Sequence, residues 1–175
     1  MFKKIVVIIV VLIVAILIYA ATKPGDFRVQ RTTAIKAPAD KIFPLINDYN
    51  NWPSWSPYEK LDPNMKKTLG GTGSGKGAVY EWDGNSKAGK GRMEITDSVP
   101  PSKVTIQLDF SKPMEGHNVA EFTLEPSGDS TNVTWAMSGP MPYIAKVMSV
   151  FVDMDKMIGK EFETGLGNMK AVAEK

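Results

Sequence analysis

Apolar and polar positions fall into three regimes along this chain, and each predicts a different element. The first is unbroken. From Ile5 to Ala21 the residues carry no charge, and Tyr19 is the one polar interruption. As a helix this run is roughly 26 Å long, close to the ~30 Å hydrocarbon core, and Lys3 and Lys4 can snorkel to make up the difference. It reads as a membrane anchor over residues 1–22, with the transmembrane helix at 5–21, then a linker at 23–26 and one domain at 27–175. The competing reading is a cleaved signal peptide, after which the domain is secreted. The run exceeds the usual h-region, and cleavage after Ala21 would leave bulky Tyr19 where a small residue is needed. The lysines ahead of the helix place the N-terminus inside and the domain outside the cytoplasm.

The second regime has period two, the signature of half-buried strands. Phe27, Val29, Thr33 and Ile35 alternate with polar residues, and Arg31 interrupts their face. Further strands follow at Ala78-Tyr80-Trp82, Met93-Ile95, Val104-Ile106-Leu108-Phe110, Ala120-Phe122-Leu124 and Val133-Trp135-Met137. Turn signals separate them, among them Asp83-Gly84-Asn85, Pro100-Pro101 and Ser127-Gly128-Asp129-Ser130. Connections this short require antiparallel pairing. Between the first two strands, Pro38 suits the first position of a helix and Ile42, Phe43, Leu45 and Ile46 give it an apolar face, while Pro44 predicts that it is short or kinked. The aromatic stretch Trp52-Pro53-Ser54-Trp55-Ser56-Pro57-Tyr58 reads as a second short helical turn plugging one end of the sheet.

The third regime has helical period. A short helix is expected between Pro142 and Val152. Met154, Ile158, Phe162, Leu166, Met169 and Ala173 then share one face of a long helix, with Asp153 and Asp155 at its start. Gly159, Gly165 and Gly167 each cost such a helix about 1 kcal/mol, so close approach of neighbouring groups is expected there. The fold class is α+β: a curved antiparallel sheet closed by a single C-terminal helix, with a cavity as the expected by-product.

Composition narrows the function. Without Lys3 and Lys4 the domain retains nineteen of the 21 basic residues against 19 acidic ones, and this balance argues against a nucleic-acid partner. Lys87, Lys90 and Arg92 cluster but are interleaved with Glu81, Asp83 and Glu94, as on a solvated hairpin face. With no cysteine and one histidine the chain lacks the ligands of an ordinary zinc site, and no other cofactor is called for. Gly70–Gly77 approximates a phosphate-binding loop, yet Gly77 replaces the hydroxyl residue and a strand follows instead of a helix. His117 follows Pro113-Met114-Glu115-Gly116 and reads as a surface loop residue; Glu81, Glu94 and Glu121 alternate outward.

The order and spacing of several segments resemble the SRPBCC superfamily of START-like, helix-grip proteins, in its polyketide cyclase/dehydrase and lipid-transport branch. They are Ala37-Pro38, Asn51-Trp52-x-x-Trp55-Ser56-Pro57, Gly75–Trp82, Gly89-x-Gly91-x-Met93, Thr131–Trp135 and Asp155–Leu166. The resemblance implies a hydrophobic ligand pocket without specifying one activity. Trp52, Trp55, Tyr80, Trp82 and Phe110 are candidate pocket residues, together with Phe122, Trp135, Met137, Met157 and Phe162. The expectation is a membrane-anchored domain whose partners are the bilayer and a hydrophobic small molecule or lipid. The alternatives are a cyclase or dehydratase using Tyr80, His117 or an inward Glu, and a regulatory protein without ligand. No catalytic residue pattern is present to carry over.

Overall fold

The computed structural model describes residues 2–175. Helix α1 (Phe2–Ala21) is continuous, with mean hydropathy 3.1 over its most apolar 18 residues, long and apolar enough by length and composition to cross a bilayer. It starts ahead of the apolar run because Lys3 and Lys4, good helix formers, join its first turn. Seven strands follow: β1 (Asp26–Ile35), β2 (Lys66–Gly71), β3 (Ala78–Asp83), β4 (Lys90–Val99), β5 (Lys103–Lys112), β6 (Gly116–Ser127) and β7 (Ser130–Pro140). They form one sheet in the order β1-β7-β6-β5-β4-β3-β2, and every neighbouring pair is antiparallel. From β2 to β7 the chain is a meander, and β1 joins the far edge against β7. The remaining helices are α2 (Ala39–Asn47), α3 (Tyr143–Met148) and α4 (Met154–Ala173). Two 3-10 helices, Tyr49–Ser54 and Pro57–Lys60, lie between α2 and β2.

Helix α2 accommodates Pro44 because the segment after it completes its hydrogen bonding. The last carbonyls of a helix have no partner within it. Here the Pro44 carbonyl accepts from Asn51 Nδ2 (2.9 Å), that of Leu45 from the Trp55 indole (2.7 Å) and that of Ile46 from the Trp52 indole (3.0 Å). The Asn47 carbonyl accepts from the backbone N–H of Gly75 (2.8 Å). The aromatic stretch is thus a plug and a helix cap at once. Pro38 caps α2 instead of standing inside it, since its extended ψ of 151° lies outside the helical region.

Two elements depart from the sequence reading. Strand β2 has no counterpart in the sequence reading: Lys66, Lys67, Thr68, Leu69, Gly70 and Gly71 are all exposed at the sheet edge, so neither face imposes an apolar alternation. His117 lies inside β6, opposite Asp109, because the turn ends at Glu115.

Arg31, the polar interruption in β1, fastens the sheet to α4. Its guanidinium pairs with Asp155 (3.0 Å) and Glu163 (2.7 Å), which hold the group above its usual range, and Arg31 in turn pulls the Asp155 carboxyl down. Gly159 leaves room at this crossing, because a Cβ there would push the Arg31 guanidinium aside. Gly165 makes room for the Trp135 ring and for Pro57, whereas a Cβ at Gly167 would meet open space.

Candidate functional site

Alternation sends most of the apolar side chains of every strand except β2 to one face, which α2, the 3-10 helices and α4 cover. The aromatic groups there form a continuous chain of contacts. Phe110 meets Trp82, Trp82 meets Tyr80, and Tyr80 meets Tyr49, with centroids 5.5, 6.2 and 5.7 Å apart. The chain continues through Trp52 and Trp55 to Trp135, which lies nearly parallel to Phe162 at 4.1 Å. Phe122 packs against Trp52, Trp55 and Trp135.

This packing places the expected pocket residues in two environments. Trp52, Trp55, Phe122, Trp135 and Phe162 are buried in one network of ring contacts, which Tyr80 joins through Tyr49, so the space directly beneath α4 is filled. Trp82 keeps slight exposure, and Phe110 and Met137 are only partly buried. Met157 departs from the expectation. It sits on the outer side of the first turns of α4 and is 56% exposed, because Arg31 and Gly159 turn the neighbouring face toward the sheet.

Burial of the concave face is graded along the strands. Ile95, Val104, Ile106 and Phe122 are fully buried. Toward one rim, Met93 and Leu108 retain some exposure and Phe27, Phe110, Met137 and Ile158 are half-covered. At that rim β1, β2, β4 and β6 begin and β3, β5 and β7 end. It is also the rim where α1 joins the domain, beside α3. A groove of about 520 Å3 lies there between the linker (Lys23, Pro24, Asp26), Met141 and the stretch from Ser149 to Met154.

The inward carboxylate of this face is Glu59, which the periodicity could not reveal because it lies in a 3-10 helix. Its side chain is only 6% exposed. One oxygen accepts from the Tyr80 hydroxyl (2.7 Å) and the other from the Lys67 ammonium (2.6 Å). Burial, and then the bond to Glu59, push the Tyr80 phenol above its ordinary range. Both oxygens of Glu59 and the proton of Tyr80 are therefore engaged within the protein. Two hydroxyls lack partners in the same region: Tyr49 Oη, beside Trp52 and Tyr80, and Ser56 Oγ.

The opposite face carries charge. Thr68, Glu81, Arg92, Asp109 and His117 lie directly across from one another on five successive strands. Arg92 pairs with Glu94 (2.7 Å) and Glu81 (3.8 Å), and Lys90 with Asp83 (2.8 Å). The His117 ring meets Asp109 at 2.8 Å, and this contact lowers the Asp109 pKa. Glu81 and His117 are well exposed, and Glu94 and Glu121 also sit on this face. A depression of about 830 Å3 runs over the ladder. Ser111, which borders it, turns its hydroxyl to the Lys90 carbonyl at 3.4 Å. Opposite charges set across strands stabilise a solvated sheet face, and that accounts for the ladder. Among the described residues, no three His, Asp or Glu side chains converge as a metal site would require.

Comparison with known proteins agrees with this geometry. The family described as "Polyketide cyclase / dehydrase and lipid transport" matches residues 26–174. No curated protein sequence matches the chain. Among solved structures, protein CV1439 from Chromobacterium violaceum superposes with a TM-score of 0.60 at 14% identity, covering 87% of this chain and 99% of that one. Major latex-like protein 151 from Panax ginseng gives 0.61 at 15% identity, covering 87% and 100%. The di-domain ARO/CYC BexL of the BE-7585A biosynthetic pathway gives 0.62 at 14% identity; 90% of this chain spans 53% of that one. At these identities the structural likeness is one of fold.

Proposed function

This chain belongs to the polyketide cyclase/dehydrase and lipid transport family of the SRPBCC superfamily, and we propose that it holds an apolar small molecule or lipid against the open rim of its concave face while α1 keeps the domain at a membrane. The observation that carries this reading is the grading of burial. The interior is tightly packed at one end and incompletely covered at the other, where Phe27, Trp82, Leu108, Phe110, Met137 and Ile158 present an apolar lining. Apolar walls with few polar groups suit ligands recognised by area rather than by hydrogen bonds, and methionine adds adaptability. The engaged state of Glu59 and Tyr80 favours binding over acid–base chemistry, since the Tyr80 proton and the Lys67 ammonium are both committed to the Glu59 oxygens.

The test is uptake of a pyrene-labelled fatty acid by the full chain in nanodiscs, together with native mass spectrometry for co-purified apolar molecules. Met137→Trp fills the rim and is expected to abolish uptake, whereas Val99→Trp on the opposite rim leaves it intact. Equal uptake by both variants, or neither uptake nor a co-purified molecule in the unmodified protein, overturns the reading.

A further inference from the structure

The segment from Tyr143 to Val152 leaves more large apolar surface exposed than any other part of the described domain. Ile144 is 59% exposed and Phe151 70%, and Tyr143, Met148 and Val152 are exposed beside them. Their spacing is helical: positions 144, 148 and 151–152 repeat every three or four residues, with Lys146 and Ser149 between them. An isolated apolar residue on a surface is ordinary, but a contiguous group on one short segment marks an interaction site.

What covers this group follows from its attachment to α1. The Tyr143 hydroxyl donates to the Leu17 carbonyl at 2.8 Å. Lys23 Nζ donates to the Ser149 carbonyl (2.9 Å), Lys146 Nζ to the Lys23 carbonyl (3.0 Å), and the Met141 N–H to the Gly25 carbonyl (2.8 Å). Ala20 is fully buried in this junction. These bonds hold α3 beside the last turn of α1 at a defined height. Leu17 lies four residues inside the apolar run, about 6 Å along the helix axis from its end. Interfacial helices bury their apolar faces ~5–10 Å into the boundary between headgroups and chains, so the height matches. The composition matches too, with a tyrosine and two lysines at the level where amphipathic aromatic and basic side chains anchor membrane segments.

The geometry points to Tyr143–Val152 as a second membrane contact, an interfacial collar that lies in the lipid surface next to α1. This inference rests on the reading of α1 as a membrane span. Its consequence for function is orientation. The collar and the half-covered end of the concave face share the rim at which α1 enters, so the apolar lining faces the bilayer and not the aqueous phase. The ligand class that this favours is an amphiphile taken from the membrane itself.

The chain contains no cysteine, so single Cys substitutions can carry an environment-sensitive label in the full protein. Labels go at Ile144→Cys and Phe151→Cys on the collar, Val10→Cys in the middle of α1, and Val99→Cys on the opposite rim. The protein is reconstituted in phosphatidylcholine/phosphatidylglycerol vesicles containing lipids with a quencher placed shallow or deep in the acyl chain. The expected result is loss of fluorescence at 144 and 151 with the shallow quencher, at 10 with the deep one, and at 99 with neither. Unquenched collar labels combined with deep quenching at 10 overturn the collar and leave the anchor standing. Collar labels shielded from aqueous iodide yet untouched by lipid quenchers overturn it in favour of a protein cover. An unquenched label at 10 overturns the anchor, and the collar with it.

Discussion

Glycines in α4 show how far a single residue can be judged from its neighbours. Propensity alone makes all three equally unfavourable, at about 1 kcal/mol each relative to alanine. Their surroundings separate them. Gly167→Ala meets nothing within reach and is expected to stabilise the protein by about 1 kcal/mol, read as a shift in denaturant midpoint at unchanged slope. Gly165→Ala brings a methyl group 2.8 Å from the Trp135 ring and 3.0 Å from Pro57, and neither wall can swing aside, so the midpoint falls. Gly159→Ala displaces the Arg31 guanidinium from Asp155 and Glu163; its helical gain is expected to emerge only when Arg31 is also replaced. A double-mutant cycle over positions 31 and 159 measures that coupling.

Elements in this fold are completed by parts of the chain outside them. Helix α2 is short and contains a proline, yet Asn51, Trp52, Trp55 and Gly75 satisfy its final carbonyls. Trp55→Phe retains most of the apolar volume but strands the part-buried Leu45 carbonyl. The expected loss is about 1–3 kcal/mol in chemical denaturation, the cost of a buried acceptor without a donor. Strands and long helices were readable because their periods survive burial on one side. The alternation from Val104 to Phe110 and the spacing from Met154 to Ala173 correspond to β5 and α4. Strand β2 was not readable, because an exposed edge leaves both faces polar. Glu59 and Tyr49 were missed for a related reason: 3-10 turns are too short to establish a period, so nothing marked their side chains as inward.

At the scale of the whole molecule, the linker sets how the domain sits against α1. Residues 23–26 have the length of a flexible tether, but Lys23 and Gly25 are bonded to the α3 region, so the domain is held in one pose relative to α1. If collar and rim act together, the pair Ile144→Asp and Phe151→Asp slows transfer of a labelled fatty acid from vesicles to the protein. The slowing is at least about an order of magnitude, because burying even one large apolar side chain contributes about 1.5–3 kcal/mol. Equilibrium binding of the same probe in detergent is expected to stay unchanged, since neither residue lines the concave face. Stopped-flow transfer and detergent titration provide the two readings.

The apolar helix, the antiparallel strands other than β2, the closing amphipathic helix and the family were all determined by the sequence alone. Each rests on local periodicity or on motif order, which the chain carries without reference to its folded neighbours. Tertiary structure decided which aromatic residues fill the interior and which remain at the rim. It also decided that Glu59, and not Glu81, Glu94 or Glu121, faces inward, and that the open end of the sheet lies beside α1. These outcomes depend on packing between segments far apart in the chain: a period shows which face of an element is apolar but not what will lie against it.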